Sequence, residues 1–215
     1  ELDWFYGGRG IYTFTNEIFS SFAYYKTKER DPNQMYNFEK DLLLGDAFTK
    51  WKPYNHPTYG DIEIGGFRKN IGRATPGFML EEELHRNMAF TFYHAFHMPL
   101  LSIDSVKEKK LSGGLTEVTA YIKNSRLMPT HASQDLKYNI TRPDYISIKG
   151  ANVVAGMIVT NEDFGVTEEQ KTNPETLRVK NIPGNSIVKV RWIIKGNSNY
   201  TITVDSEKGG VVSNK

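Results

Sequence analysis

From Leu101 onward, short runs that alternate apolar and polar residues recur with turn residues between them, and this repetition constrains the fold more than any other feature. The runs cover residues 101–106, 115–123, 136–139, 145–148, 155–158, 175–179, 187–194 and 200–206, and Gly113-Gly114, Gly184-Asn185 and Gly196-Asn197 supply turn signals between them. Successive side chains of a strand point to opposite faces, so a run of this kind buries one face and exposes the other. Val118, Ala120 and Ile122 form one apolar set, and Val188, Val190, Trp192 and Ile194 form a second. Each set is placed to give one face to a shared core. Strands of this length and spacing predict an all-β sandwich of the immunoglobulin or fibronectin kind.

Residues before Pro99 carry a different rhythm. Met35, Phe38 and Leu42 stand at helical spacing with Gly45 placed as a C-terminal cap, which predicts a short helix over 33–44. Leu80, Leu84, Met88, Phe92 and Phe96 recur every four residues, with Glu81, Glu82 and Glu83 at the start and Pro99 at the end. That pattern predicts an amphipathic helix of about five turns whose acidic first turn suits the helix dipole. Between the two lies a stretch punctuated by Pro53, Pro57, Gly60, Gly65 and Gly66, in which Ile62 and Ile64 alternate as a strand. The change of periodicity sets a domain boundary at Met98-Pro99, giving domains 1–98 and 99–215.

Composition narrows the function. With 39% apolar and 13% aromatic residues, the 215-residue chain has enough material for a real core. Its 27 basic and 25 acidic residues are interspersed without a basic run. Neither nucleic acid nor an anionic membrane surface is therefore an expected partner. No apolar stretch is long enough for a membrane span. The absence of cysteine excludes disulfides, thiolate metal sites and a cysteine nucleophile, and it agrees with an exported bacterial protein. His85, His94 and His97 fall on the long helix without an H-E-x-x-H spacing, so they read as helix surface rather than as a metal site. Gly7-Gly8-Arg9-Gly10 reads as a turn feeding a strand, not as a phosphate cradle.

The N-terminal segment carries the chemistry. Residues 2–6 and 11–18 are rich in aromatic and β-branched side chains and read as strand, with Glu17 at the exit. A carboxylate is seldom buried unpaired, so one delivered there points to a site. Leu2-Asp3-Trp4-Phe5-Tyr6 and Phe14-Thr15-Asn16-Glu17-Ile18 resemble the last catalytic strand of the funnelin-type zinc metallocarboxypeptidases, which carry I-D-W-x-Y and then F-T-x-E-L. His56-Pro57-Thr58-Tyr59-Gly60-Asp61-Ile62-Glu63-Ile64-Gly65-Gly66 is similar to a stretch that large bacterial members place after that strand.

The resemblance implies that residues 1–98 are an α/β fragment, the end of a carboxypeptidase-like mixed sheet with its closing helices. It assigns Glu17 as the general base that activates a zinc-bound water and then protonates the leaving amine. Leu2 falls on the floor of the pocket for the substrate's C-terminal side chain, where an apolar residue suits an apolar side chain. The family's zinc ligands, a His-x-x-Glu pair and a distant His, precede this strand. Zinc is therefore expected in a parent enzyme and no metal ligand in this chain. A peptide or protein is the implied substrate, and a secreted or periplasmic location is expected. The rival expectation is a non-catalytic binding or structural β-sandwich module in which Glu17 is incidental.

Overall fold

The computed structural model describes residues 1–19, 31–69, 71, 74–196 and 199–214. Contacts divide the chain into two compact units, Glu1–Phe14 with Phe92–Lys215, and Thr15–Thr91.

In the second unit, helix α2 (Gln34–Leu42) buries Phe38. Its end is where the glycine predicts it: Gly45, at φ 87, donates its N–H back to the Glu39 carbonyl at 3.3 Å. Strands β1 (Phe48–His56) and β2 (Gly60–Phe67) form an antiparallel hairpin pairing Phe48 with Phe67 and Tyr54 with Ile62. At its tip the His56 imidazole Nδ1 accepts the N–H groups of Thr58 and Tyr59, which binds the ring into the turn. Helix α3 (Leu80–Phe96) follows a 3-10 turn at Gly77–Met79, and its stripe Leu80, Leu84, Met88, Phe92 and Phe96 is exposed.

In the first unit, residues 2–6 depart from the expected strand. They belong to helix α1 (Leu2–Arg9), which ends at Gly10 with φ 62. Residues 11–18 form no strand either. The cause is pairing: a strand needs a neighbour for its N–H and C=O groups, whereas a helix satisfies them within itself. Among the described residues before 100, the strands are β1 and β2, and they pair with each other. The α/β sheet implied for residues 1–98 is accordingly not formed among them.

From Leu101 the reading by alternation holds. Strands β3 (Leu101–Lys110), β4 (Leu115–Asn124), β5 (Asp144–Lys149), β6 (Asn152–Asn161), β7 (Val166–Glu169), β8 (Thr176–Val179), β9 (Ser186–Lys195), β10 (Thr201–Ser206) and β11 (Gly210–Ser213) build two antiparallel sheets. Their orders are β3-β4-β9-β6-β7 and β11-β10-β5-β8. Val118 stands opposite Trp192, and Ala120 opposite Val190. These residues form one core with Ile122 and Ile194 and with Ile146, Ile148, Leu177, Ile202 and Val204 of the other sheet. The Trp192 indole donates to the Pro174 carbonyl at 3.0 Å. Gly156 makes that approach possible, because a Cβ there would lie 2.1 Å from the same carbonyl oxygen.

The strand expected at 136–139 is instead the end of a short helix, α4 (Ser133–Tyr138), closed by Asn139 in the left-handed conformation. The helix closes on its own backbone, where the Asn139 N–H donates to the Asp135 carbonyl. The residues at the end of α3 bond to the sheets that follow. Met128 N–H donates to the His97 carbonyl, Leu100 N–H to the fully buried Asn124 side chain, and the Arg126 guanidinium lies 3.5 Å over the Phe96 ring.

Candidate functional site

The two residues assigned by resemblance lie in different units. Leu2 is partly exposed in α1, and Glu17 is an exposed side chain in the irregular segment of the second unit. The histidines do not form a zinc site. His94 packs edge-on to Phe14, His97 lies against Tyr93 and Phe96, and His56 is held in its turn. Among the described residues no three His, Asp or Glu side chains converge in a geometry that would hold a metal ion.

What the structure does assemble is a buried ion network in the loops beside β5. His131, Asp135 and Asp144 are almost fully buried. Helix α4 presents Asp135 one turn after His131, so that the imidazole Nδ1 reaches Asp135 Oδ2 at 3.0 Å. On its other side, His131 Nε2 stands 3.4 Å from Asp144 Oδ1. Asp135 is saturated with donors: Thr141 donates through its hydroxyl at 2.6 Å and its backbone N–H at 2.8 Å, and Lys208 Nζ donates at 2.8 Å. Asp144 accepts the Thr130 hydroxyl at 2.6 Å, and that same oxygen accepts the N–H of Ile182. Asn181 completes the network by accepting the His131 backbone N–H at 3.2 Å. The segment from Thr130 to Asp144 is thus held to the sheets by charge and hydrogen bonds where the apolar core stops.

Burial opposes charge on His131, but the facing Asp144 and Asp135 carboxylates outweigh it and raise the pKa above the ordinary imidazole value. Burial likewise opposes charge on Asp135. The hydrogen bonds from Lys208, Thr141 and His131 overcome it and hold that carboxyl well below the usual range. The raised His131 stabilises the fold fully below its unfolded pKa of ~6.5 and loses that contribution as pH rises through the folded value. Asp135 contributes above ~3.9 and loses its part as pH falls through the depressed value. Urea unfolding across pH should therefore show the network at full strength between about pH 4 and pH 6.5. The alkaline decline should be shallower in His131→Gln than in the wild type, and equal slopes would show that the imidazole does not carry it.

Residues 100–215, which contain both sheets and this network, match the family model described as "Domain of unknown function (DUF8731)". The chain belongs to that family. No curated protein matches the chain. In this DUF8731 region the sequence offered one weak signal of the network, the four-residue spacing of His131 and Asp135. Nothing pointed to Asp144, Asn181 or Lys208, which arrive from other strands and loops.

Beside the network opens a cleft of about 450 Å³ lined by α4, the Asn139–Pro143 turn and the end of β8. His131 and Asp135 form its floor, Leu136 and Pro143 an apolar wall, and Arg178 and Lys180 its charged rim. Arg178 and Lys180 alternate with the buried Leu177 and Val179, so the strand period turns both cations outward on one face. Asp135 and Asp144 are both engaged within the network, Asp135 by His131, Thr141 and Lys208 and Asp144 by Thr130.

Proposed function

We propose that the chain is the C-terminal part of an exported zinc carboxypeptidase that hydrolyses the C-terminal peptide bond of a peptide or protein. Residues 99–215 would be its immunoglobulin- or fibronectin-like accessory domain. The observation that carries this reading is the pair of segments Leu2-Asp3-Trp4-Phe5-Tyr6 and Phe14-Thr15-Asn16-Glu17-Ile18, supported by the His56–Gly66 stretch. Two roles belong to this chain's own residues. Glu17, an exposed carboxylate, takes a proton from the attacking water and delivers it to the leaving amine. Leu2 meets the substrate's last side chain and favours an apolar one. The metal has to be held by residues other than those described, and no step is assigned to it.

The rival reading, a binding module, is favoured by the cleft beside His131 and by the coincidence of the DUF8731 match with the two-sheet body. The two readings separate in one assay. The full-length protein should release the C-terminal residue from N-blocked peptides ending in Leu or Phe, stop on treatment with 1,10-phenanthroline and recover with added zinc. The 215-residue chain alone should release none. Lack of release by the full-length protein from every peptide tried, or release by the chain alone, would count against the carboxypeptidase reading.

A further inference from the structure

We infer that the cleft between α4 and the end of β8 is a binding site for a small ligand carrying an oxyanion group, with an apolar body lying on Leu136 and Pro143. Donors and charges define this site, which does not depend on the carboxypeptidase reading. The His131 backbone N–H can only donate, so the Asn181 atom that meets it at 3.2 Å is the amide oxygen. The Asn181 NH₂ group, with its two donors, is then not used in this contact, and Asn181 is among the residues that line the cleft. Arg178 and Lys180 stand at the rim and form no ion pair with any described residue. The carboxylate of the floor, Asp135, does not oppose an incoming anion. Its oxygens are filled by His131, Thr141 and Lys208, and the Lys208 ammonium lies against its charge. The cleft therefore offers donors and unpaired positive charge at one end and apolar carbon at the other.

An Arg fork with a neighbouring ammonium suits carboxylate and phosphate alike. The volume of about 450 Å³ sits in the lower part of the range for small-molecule sites. Lys149 and Lys195 are exposed cations elsewhere on the sheets and are not among the residues that line this cleft.

The test uses the whole chain, ¹⁵N-labelled, titrated separately with N-acetyl-leucine, inorganic phosphate and the neutral control N-acetyl-leucinamide. We expect N-acetyl-leucine or phosphate to bind in the millimolar range and to move the amide signals of Arg178, Lys180 and Asn181. The tighter of the two identifies whether a carboxylate or a phosphate is preferred. The double variant Arg178→Gln/Lys180→Gln should weaken binding at least tenfold, while Lys149→Gln/Lys195→Gln, which removes the same charge elsewhere, should leave it unchanged. All four side chains are exposed, so signals away from the cleft should report intact folding in both variants. The inference is overturned if neither anion binds, if the amide binds as well as the acid, or if the two double variants weaken binding equally.

Discussion

Replacing Glu17 by Gln in the full-length protein is expected to lower kcat by about 10²–10⁴-fold, the effect typical of losing a general base. Gln keeps the size of the side chain and its capacity to hydrogen-bond, but it has no basic lone pair able to take a proton from water. The same residue is read as returning that proton to the leaving amine, so both halves of the proton transfer are lost together. Folding should be unaffected, because Glu17 is exposed and substitutions of exposed side chains away from caps and networks cost little. KM should change less than kcat, since a group that acts on the water is used in the transition state rather than in holding the peptide. Steady-state kinetics with thermal unfolding as a control makes the measurement. Near-normal turnover in Glu17→Gln would remove this residue from the chemistry and bring the binding-module reading forward.

The second large effect is on stability. Asp135→Asn should cost about 3–5 kcal/mol, the penalty for removing one partner of a buried charge network and leaving the others uncompensated. Asp135 faces His131 and Lys208 and accepts the Thr141 N–H, so the neutral variant leaves the Lys208 ammonium without its counter-ion and puts an amide NH₂ beside donors. By contrast, Asp205→Asn, which breaks the half-exposed pair with Arg142 at 2.7 Å, should cost no more than about 1 kcal/mol. Hydrogen exchange of the β5 and β9 amides in increasing urea reads this region of the chain by itself. Equal losses in the two variants would show that burial of the Asp135 network adds nothing to its worth.

The alternation of Val118, Ala120 and Ile122 and of Val190, Trp192 and Ile194 was enough to predict the buried faces of β4 and β9, because the strand period and the apolar pattern are the same physical fact. The four-residue stripe and acidic first turn of α3, and the glycine stop of α2, were legible for the same reason: each is settled within a few residues by periodicity, dipole or backbone freedom. Strand length was less so. β7 and β11 were not among the predicted runs, whereas β8, also four residues long, was.

What only the tertiary structure decided was partnership. Residues 2–6 have the composition of a strand, yet composition cannot supply the neighbouring strand that would pair with them, and here they close their hydrogen bonds locally as a helix. Residues 136–139 look equally like strand, but the segment coils into α4, and the Asp135 side chain ties it to Thr141 just beyond the helix. The cleft follows the same rule. Its lining residues come from positions as far apart as His131 and Asn181, and Lys208, which bonds to Asp135 in its floor, is reached through the return of β10 to β5. The sequence by itself determined which faces are apolar and where elements stop, since those depend on neighbours along the chain. It did not determine which charges meet, because that depends on loop closures between residues dozens of positions apart.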